Sequence, residues 1–141
     1  DWRVIDKPFA DRPDPIVAVP SIQPDVALFH APMADSEGNV WIGRRRELAG
    51  MAYAASRTFV TVERIVEGSF LENEELAAGM LPALYIEGVA AVPRGAAPTG
   101  LPGHYGPDVK ELQRYARMAQ SQEGFRTYLQ ESIKEVQGVE Q

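Results

Sequence analysis

Two apolar, β-rich runs of similar length constrain this chain most: "DVALFHA" at 25–31 and "TFVTVERIV" at 58–66. Nearly unbroken apolar runs of this kind suit strands buried on both faces of a parallel sheet, which need a long crossover between them. The intervening "RRRELAGMAYAAS", 44–56, supplies it. Leu48, Met51, Ala52 and Ala55 fall at i, i+3, i+4 and i+7, one apolar stripe of a helix that Gly50 weakens slightly. The pattern predicts an open, mostly parallel α/β sheet flanked by helices.

Other segments extend this reading. "PIVAV", 15–19, predicts a short buried strand ended by Pro20, preceded by an exposed lead-in over residues 1–14 whose charges and prolines in "KPFADRPDP" read as loop rather than as an N-terminal element. The strand at 25–31 is expected to stop at Pro32. "ADSEGNV" then forms a polar turn and "NVWI" a short strand. "EGSFLENEEL" predicts a loop and a short helix, and "PALYIEGVAAVP", 82–93, one strand broken at Gly88 or two short ones. A long loop over 94–108 holds four glycines and three prolines. A helical tail over 108–137 follows. Asp108 caps its first helix, with Glu111 in capping-box position and a stripe of Val109, Leu112, Ala116 and Ala119. Ser121 caps the second, whose stripe is Phe125, Leu129, Ile133 and Val136, and "QGVEQ" is expected to fray. A complete doubly wound domain has more strands than these, and the chain begins at Asp1, so the expectation is an incomplete part of a larger domain.

Composition narrows the chemistry. A length of 141 residues suits one domain, and a net charge of −6 does not favour nucleic acid or anionic membranes as partners. The absence of cysteine excludes a disulfide framework, a cysteine nucleophile and thiolate metal sites. No apolar run approaches the ~20 residues of a membrane helix, and a cytoplasmic location is the default expectation. The two histidines, His30 and His104, lie on different elements, so zinc has little support. No nucleophile-elbow, phosphate-loop or dinucleotide motif occurs. The arginines at 44–46 suit either a solvated helix start or an anion site at a helix N-terminus.

The polar turn after the second strand and Glu63 near the end of "FVTVE" carry the functional question, because ligands in open α/β sheets bind at the carboxyl ends of strands. Glu63 is placed as a general base or nucleophile would be, or it pairs with Arg64 or another base, or faces solvent. His30, at a strand end, suits a packed, hydrogen-bonded residue as well as a ligand contact.

Three blocks in order resemble one family. "VAVPSIQPDVALFHAPMADSEGNVWIG", "AASRTFVTVERIV" and "GVAAVPRGAAPTGLPGHY" are similar to segments of family I CoA-transferase alpha subunits of the glutaconate CoA-transferase type, in their C-terminal part. The resemblance covers about Pro15 to about Leu129. It implies the open α/β fold shared by CoA-transferases, sugar-phosphate isomerases and some sugar-responsive regulators. It also implies nucleophilic catalysis in which a glutamate attacks an acyl-CoA thioester, forms an acyl anhydride and becomes a glutamyl-CoA thioester that passes CoA to a second acid. The substrates are then a coenzyme A thioester and a carboxylic acid, with no bound cofactor.

In that family the nucleophilic glutamate lies in a partner beta subunit, in a Glu-Asn/Ser-Gly context. "EGS" at 67–69 and "EGV" at 87–89 are not that motif. The Gly-rich oxyanion loop belongs to the N-terminal half of the alpha subunit, which has no counterpart here. The resemblance therefore implies a chain that lines a pocket and does not catalyse alone. Its candidate substrate-binding positions are His30, Ala31 and Asn39 after the second strand, Glu63 and Arg64 on the later one, and Pro98 and Thr99 in the long loop. "TVERIV" is also similar to the alpha chains of ring-opening hydrolases of steroid degradation, which cleave a carbon–carbon bond in a cyclic CoA thioester. A sugar-phosphate-sensing module on the same fold would need a helix-turn-helix that this acidic chain does not show. An isomerase would need an acid–base constellation that it does not show either.

Overall fold

The structure, a computed structural model, describes residues 1–137. Strands β3 (Val26–Asp35) and β5 (Arg57–Val66) lie side by side and parallel, in register from Val26 opposite Arg57 to Asp35 opposite Val66. Helix α1 (Arg46–Ala54) makes the crossover between them. Strand β7 (Gly88–Ala91) adds in parallel to β5. On the far side, two-residue strands β4 (Val40–Trp41) and β6 (Met80–Leu81) add in antiparallel sense, giving the order β6-β4-β3-β5-β7. The long pairings are thus parallel, as the apolar runs predict, and the antiparallel additions are short.

The sheet is covered on one face. Leu48, Ala49 and Ala52 of α1 close a core with Ala31, Val60, Val62, Val40 and Leu81. Met51, expected in the helix stripe, is 42% exposed instead, and Ala49 is buried in its stead. On the opposite face Val26 and Leu28 remain 50% and 68% exposed. Because successive strand residues point to opposite faces, His30 and its register partner Thr61 stand on this open face, with Glu63 two residues further on.

Three expectations need correction. "PIVAV" is not a buried strand: β2 (Pro15–Ala18) pairs antiparallel with β1 (Arg3–Asp6), a strand within the supposed lead-in, as an exposed ribbon separate from the main sheet. A short apolar run shows β preference but not what covers it, and Val17 is 62% exposed. The Lys7–Asp14 connection between them is loop. Second, β3 does not stop at Pro32. Its pairing with β5 resumes at Met33 opposite Arg64, on the far side of a residue that has no N–H to give. Third, the capping box at Asp108 is half formed. Asp108 accepts from the N–H groups of Lys110 and Glu111, but the Glu111 carboxylate turns to Arg114 and the Asp108 N–H goes to the Pro98 carbonyl.

A further expectation fails in "PALYIEGVAAVP": before Gly88 the chain forms a 3-10 turn at Ala83–Tyr85 rather than a strand, and only β7 beyond it is strand. A 3-10 turn at Phe70–Glu72 and the short helix α2 (Glu74–Ala77), capped by Asn73, occupy the acidic stretch. Helix α3 (Val109–Met118) and helix α4 (Gln122–Gln137), the latter capped by Ser121, form the tail. Their stripes face outward, with Val109, Phe125, Leu129 and Ile133 all more than a third exposed. The Val136 side chain and the tail beyond Gln137 lie outside the described residues.

The polar turn after β3 answers to a structural need. Asp35, 2% exposed, accepts hydrogen bonds from the N–H groups of Glu37, Asn39 and Phe70 and from Asn39 Nδ2, at 2.8–3.0 Å. Gly38 closes the turn at φ +86°. Burial pushes the Asp35 carboxyl up, but the four donors outweigh it and hold it below its ordinary value. Asp35→Ala would orphan these donors and is expected to destabilise the fold by about 3 kcal/mol, read as a lower urea midpoint with an unchanged slope.

Candidate functional site

A cluster of polar side chains stands on the open face, toward the carboxyl ends of β3, β5 and β7, where open α/β sheets place ligands. Its centre is Glu63. One carboxylate oxygen, Oε1, accepts from His30 Nε2 and from the Tyr105 hydroxyl, each at 2.7 Å. The other, Oε2, accepts from the Arg94 N–H at 2.7 Å. A carboxylate is acceptor-only, so the Nε2 proton points at Glu63, and His30 Nδ1 lies 2.9 Å from the Thr61 hydroxyl. The Tyr105 hydroxyl in turn accepts from the Ala96 N–H at 3.0 Å.

These bonds fasten the glycine-rich loop onto the sheet. Arg94 and Tyr105 are held from opposite ends of the loop by the same carboxylate, and the Tyr105 hydroxyl holds Ala96 in turn. Gly95 is required by close approach, because a Cβ there would sit 2.7 Å from the His30 ring and 2.9 Å from the Val92 carbonyl oxygen. Within the loop the Thr99 hydroxyl donates to the Ala96 carbonyl.

The electrostatics follow from the donors. Partial burial pushes the Glu63 carboxyl up, but the Arg94 amide, the Tyr105 hydroxyl and the His30 ring outweigh it and bring it down to about 2. Burial pushes the Tyr105 hydroxyl up, and donation to a carboxylate raises it further. Glu63 is thus a stabilised anion with few free lone pairs. It is suited to orienting its neighbours and poorly suited to attacking a carbonyl or taking a proton.

The structure therefore brings His30 and Glu63 together, with Pro98 and Thr99 in the loop that Glu63 fastens. It does not bring in the other expected positions. Ala31 is fully buried on the helix-covered face. Asn39 belongs to the Asp35 turn, where its Nδ2 donates to Asp35 and its Oδ1 accepts from the Ala83 N–H. Arg64 points to neither Glu63 nor the loop; its only side-chain contact of note among the described residues is the Met33 sulfur at 3.8 Å. Sequence reasoning missed Thr61, Arg94 and Tyr105. Thr61 was accessible from alternation, two residues before Glu63. Tyr105 lies 42 residues away from Glu63 with no local signal. Among the described residues no group of histidine and carboxylate side chains could hold a metal, and no helix is long and apolar enough to cross a membrane.

Residues 14–91, more than half of the chain, match the family described as Coenzyme A transferase. The chain belongs to that family. It is 35% identical to the A-type subunit of the 3-oxoadipate CoA-transferase of Pseudomonas knackmussii over 94% of its own length and 45% of the relative's. It is 31% identical to the A-type subunit of the glutaconate CoA-transferase of Acidaminococcus fermentans over 94% of its length. The solved structure of that glutaconate CoA-transferase matches with a TM-score of 0.79, covering 92% of this chain and 41% of the other. The IpdA subunit of the cholesterol ring-cleaving hydrolase of Rhodococcus jostii is 30% identical over 92% of this chain and 46% of its own length. The chain thus spans under half the length of these relatives, and the CoA-transferase fold of the described sheet is shared with them.

The depressed Glu63 carboxyl has a measurable consequence. Its folded value lies below the unfolded one, so its contribution to stability is complete above the ordinary 4.5 and is lost as pH falls from there toward about 2. Glu63→Gln removes that dependence. The stability difference between parent and variant, measured by urea unfolding, is expected to shrink steadily as pH falls through this window.

Proposed function

We propose that this chain is part of the alpha subunit of an acyl-CoA:carboxylate CoA-transferase that works with a beta subunit. The observation that carries the reading is the loop 94–105 fastened over the carboxyl ends of parallel strands by Glu63, in a chain of the CoA-transferase family. The substrates are an acyl-CoA thioester and a carboxylic acid, and no resident cofactor is required. A cytoplasmic location belongs to the same reading, as does the absence of nucleic-acid and membrane partners.

The chemistry is assigned to a glutamate of the beta subunit. Its carboxylate attacks the thioester carbonyl and displaces CoA as a thiolate, leaving an acyl-glutamyl anhydride. The CoA thiolate attacks the glutamyl carbonyl, releases the first acid and forms a glutamyl-CoA thioester. The second acid then attacks, and CoA returns to it by the reverse steps. Glu63 is not given the nucleophile's role, because three donors already hold its oxygens and its carboxyl lies near 2. In this reading His30, Glu63, Pro98 and Thr99 form one wall of the acyl pocket, with Tyr105 holding that wall in place. Ala31 and Arg64 contribute main chain at the strand ends, and Asn39 acts through the turn it braces.

A second reading has one specific support, the similarity to the ring-cleaving hydrolase chain. There water takes the place of the second acid. Intact mass spectrometry of the full-length alpha chain, co-purified with its partner and incubated with acyl-CoAs, separates the two. A CoA-sized adduct on the partner is expected. An adduct on this chain would overturn the assignment and point to Glu63. Acyl-CoA consumption with no adduct on either chain would establish the hydrolase reading in its place.

A further inference from the structure

Thr61, His30 and Glu63 form a connected series of the kind that a hydroxyl nucleophile requires. The Thr61 hydroxyl lies 2.9 Å from His30 Nδ1, and His30 Nε2 lies 2.7 Å from Glu63 Oε1. The sheet itself builds the series. His30 and Thr61 are register partners on the parallel strands β3 and β5, and Glu63 follows Thr61 by two residues, so all three stand on the face that α1 does not cover. Gly95 packs against the His30 ring and holds it in this position.

The proton positions follow from the acceptors. Glu63, brought down to about 2, only accepts, so Nε2 carries the imidazole proton. Nδ1 of the neutral ring is then a lone pair, and the proton in its contact with Thr61 is the hydroxyl's own. Thr61 therefore donates to a base that an anion backs. A hydroxyl, a base within hydrogen-bond reach and a third group that fixes the base's tautomer are the parts of an activated nucleophile. Thr61 is half-buried rather than sealed, so its oxygen is open to a reactant.

We propose that Thr61 is a nucleophile of this protein, with His30 as its general base and Glu63 orienting that base, and that the activity it supports is hydrolysis of acyl-CoA thioesters through a threonyl ester. The substrate class rests on the transferase reading. The nucleophile rests on the side-chain geometry alone. Thr61 Oγ1 attacks the thioester carbonyl as its proton passes to Nδ1, and Glu63 stabilises the imidazolium. The carbon–sulfur bond breaks, and the CoA thiolate takes the Nδ1 proton and leaves as the thiol. Water then gives a proton to Nδ1 and adds to the ester carbonyl. The ester carbon–oxygen bond breaks, Thr61 recovers the proton, and the acid leaves. The loop N–H groups of Gly95, Ala96 and Ala97 are spent on the Val92 carbonyl, the Tyr105 hydroxyl and the Arg94 carbonyl. They supply no oxyanion hole, and the lack of one such donor slows acyl transfer by about 10²–10³. An activated ester is therefore the sensitive probe.

The test uses the full-length alpha chain in complex with its partner. The complex is incubated with p-nitrophenyl acetate, which carries no CoA, or with acetyl-CoA, then quenched in acid, digested with trypsin and mapped by fragment mass. The expected result is an acetyl group on Thr61, within the peptide 58–64, from both donors. Thr61→Val keeps the branched shape without the hydroxyl and is expected to slow nitrophenolate release about a hundredfold, and Thr61→Ser to restore it. No acetyl group on Thr61 in the unmodified complex overturns the proposal, whatever the folding of the variants. So does nitrophenolate release that Thr61→Val leaves unchanged. An acetyl group from the nitrophenyl ester alone overturns the thioester assignment. The CoA-sized adduct on the partner reads the transferase proposal separately, and its absence beside an acetylated Thr61 would sink transfer and leave this inference standing.

Discussion

The Glu63 carboxylate is the interaction on which the site depends. A glycine-rich loop of this length has no core of its own and would be expected to wander. Here one anion gathers its near end through the Arg94 N–H and its far end through the Tyr105 hydroxyl, and ties both to a sheet strand through His30. The stabilisation runs in both directions. The donors bring the carboxyl down to about 2, and the ionised carboxyl makes each of their bonds charge-assisted. Glu63 is thereby removed from direct chemistry by the same bonds that make it structurally central.

Asp35 repeats the device at the end of the neighbouring strand. It too sits at the carboxyl end of a parallel strand, and it too spends its lone pairs on loop donors, here the 35–39 turn and the Phe70 N–H that starts the acidic segment. Adjacent strand ends thus each carry a carboxylate that accepts from loop N–H groups. Burial separates them. Asp35 is sealed at 2% exposure, whereas the Glu63 side chain keeps 18%. Only the second keeps contact with solvent.

What was legible in the sequence was what local pattern encodes. The β3 and β5 runs, the α1 crossover and the Asp108 and Ser121 caps follow from propensity, period and turn chemistry, and His30 and Glu63 stood out because they end apolar strands. What was not legible depends on pairing across the chain. The β1–β2 ribbon looked like a core strand because "PIVAV" has the composition of one, and nothing local records that its faces stay exposed. Pro32 looked like a stop because a missing N–H matters only where a neighbouring strand needs it. Tyr105 was invisible because its role is defined by an oxygen 42 residues earlier in the chain. Asn39 misled in the opposite sense, since a polar residue after a strand suggests a ligand contact, while its amide is consumed by Asp35 and Ala83.

The geometry of the sheet also bears on how such a site becomes a working one. Strands of a largely parallel sheet are stable when both faces are covered. In the described residues α1 covers one face, and the other presents Val26 and Leu28 to solvent beside the largely buried Glu63 cluster. The apolar positions of that face, each of which gains on the order of 25 cal/mol for every Å² removed from water, favour burial under further protein.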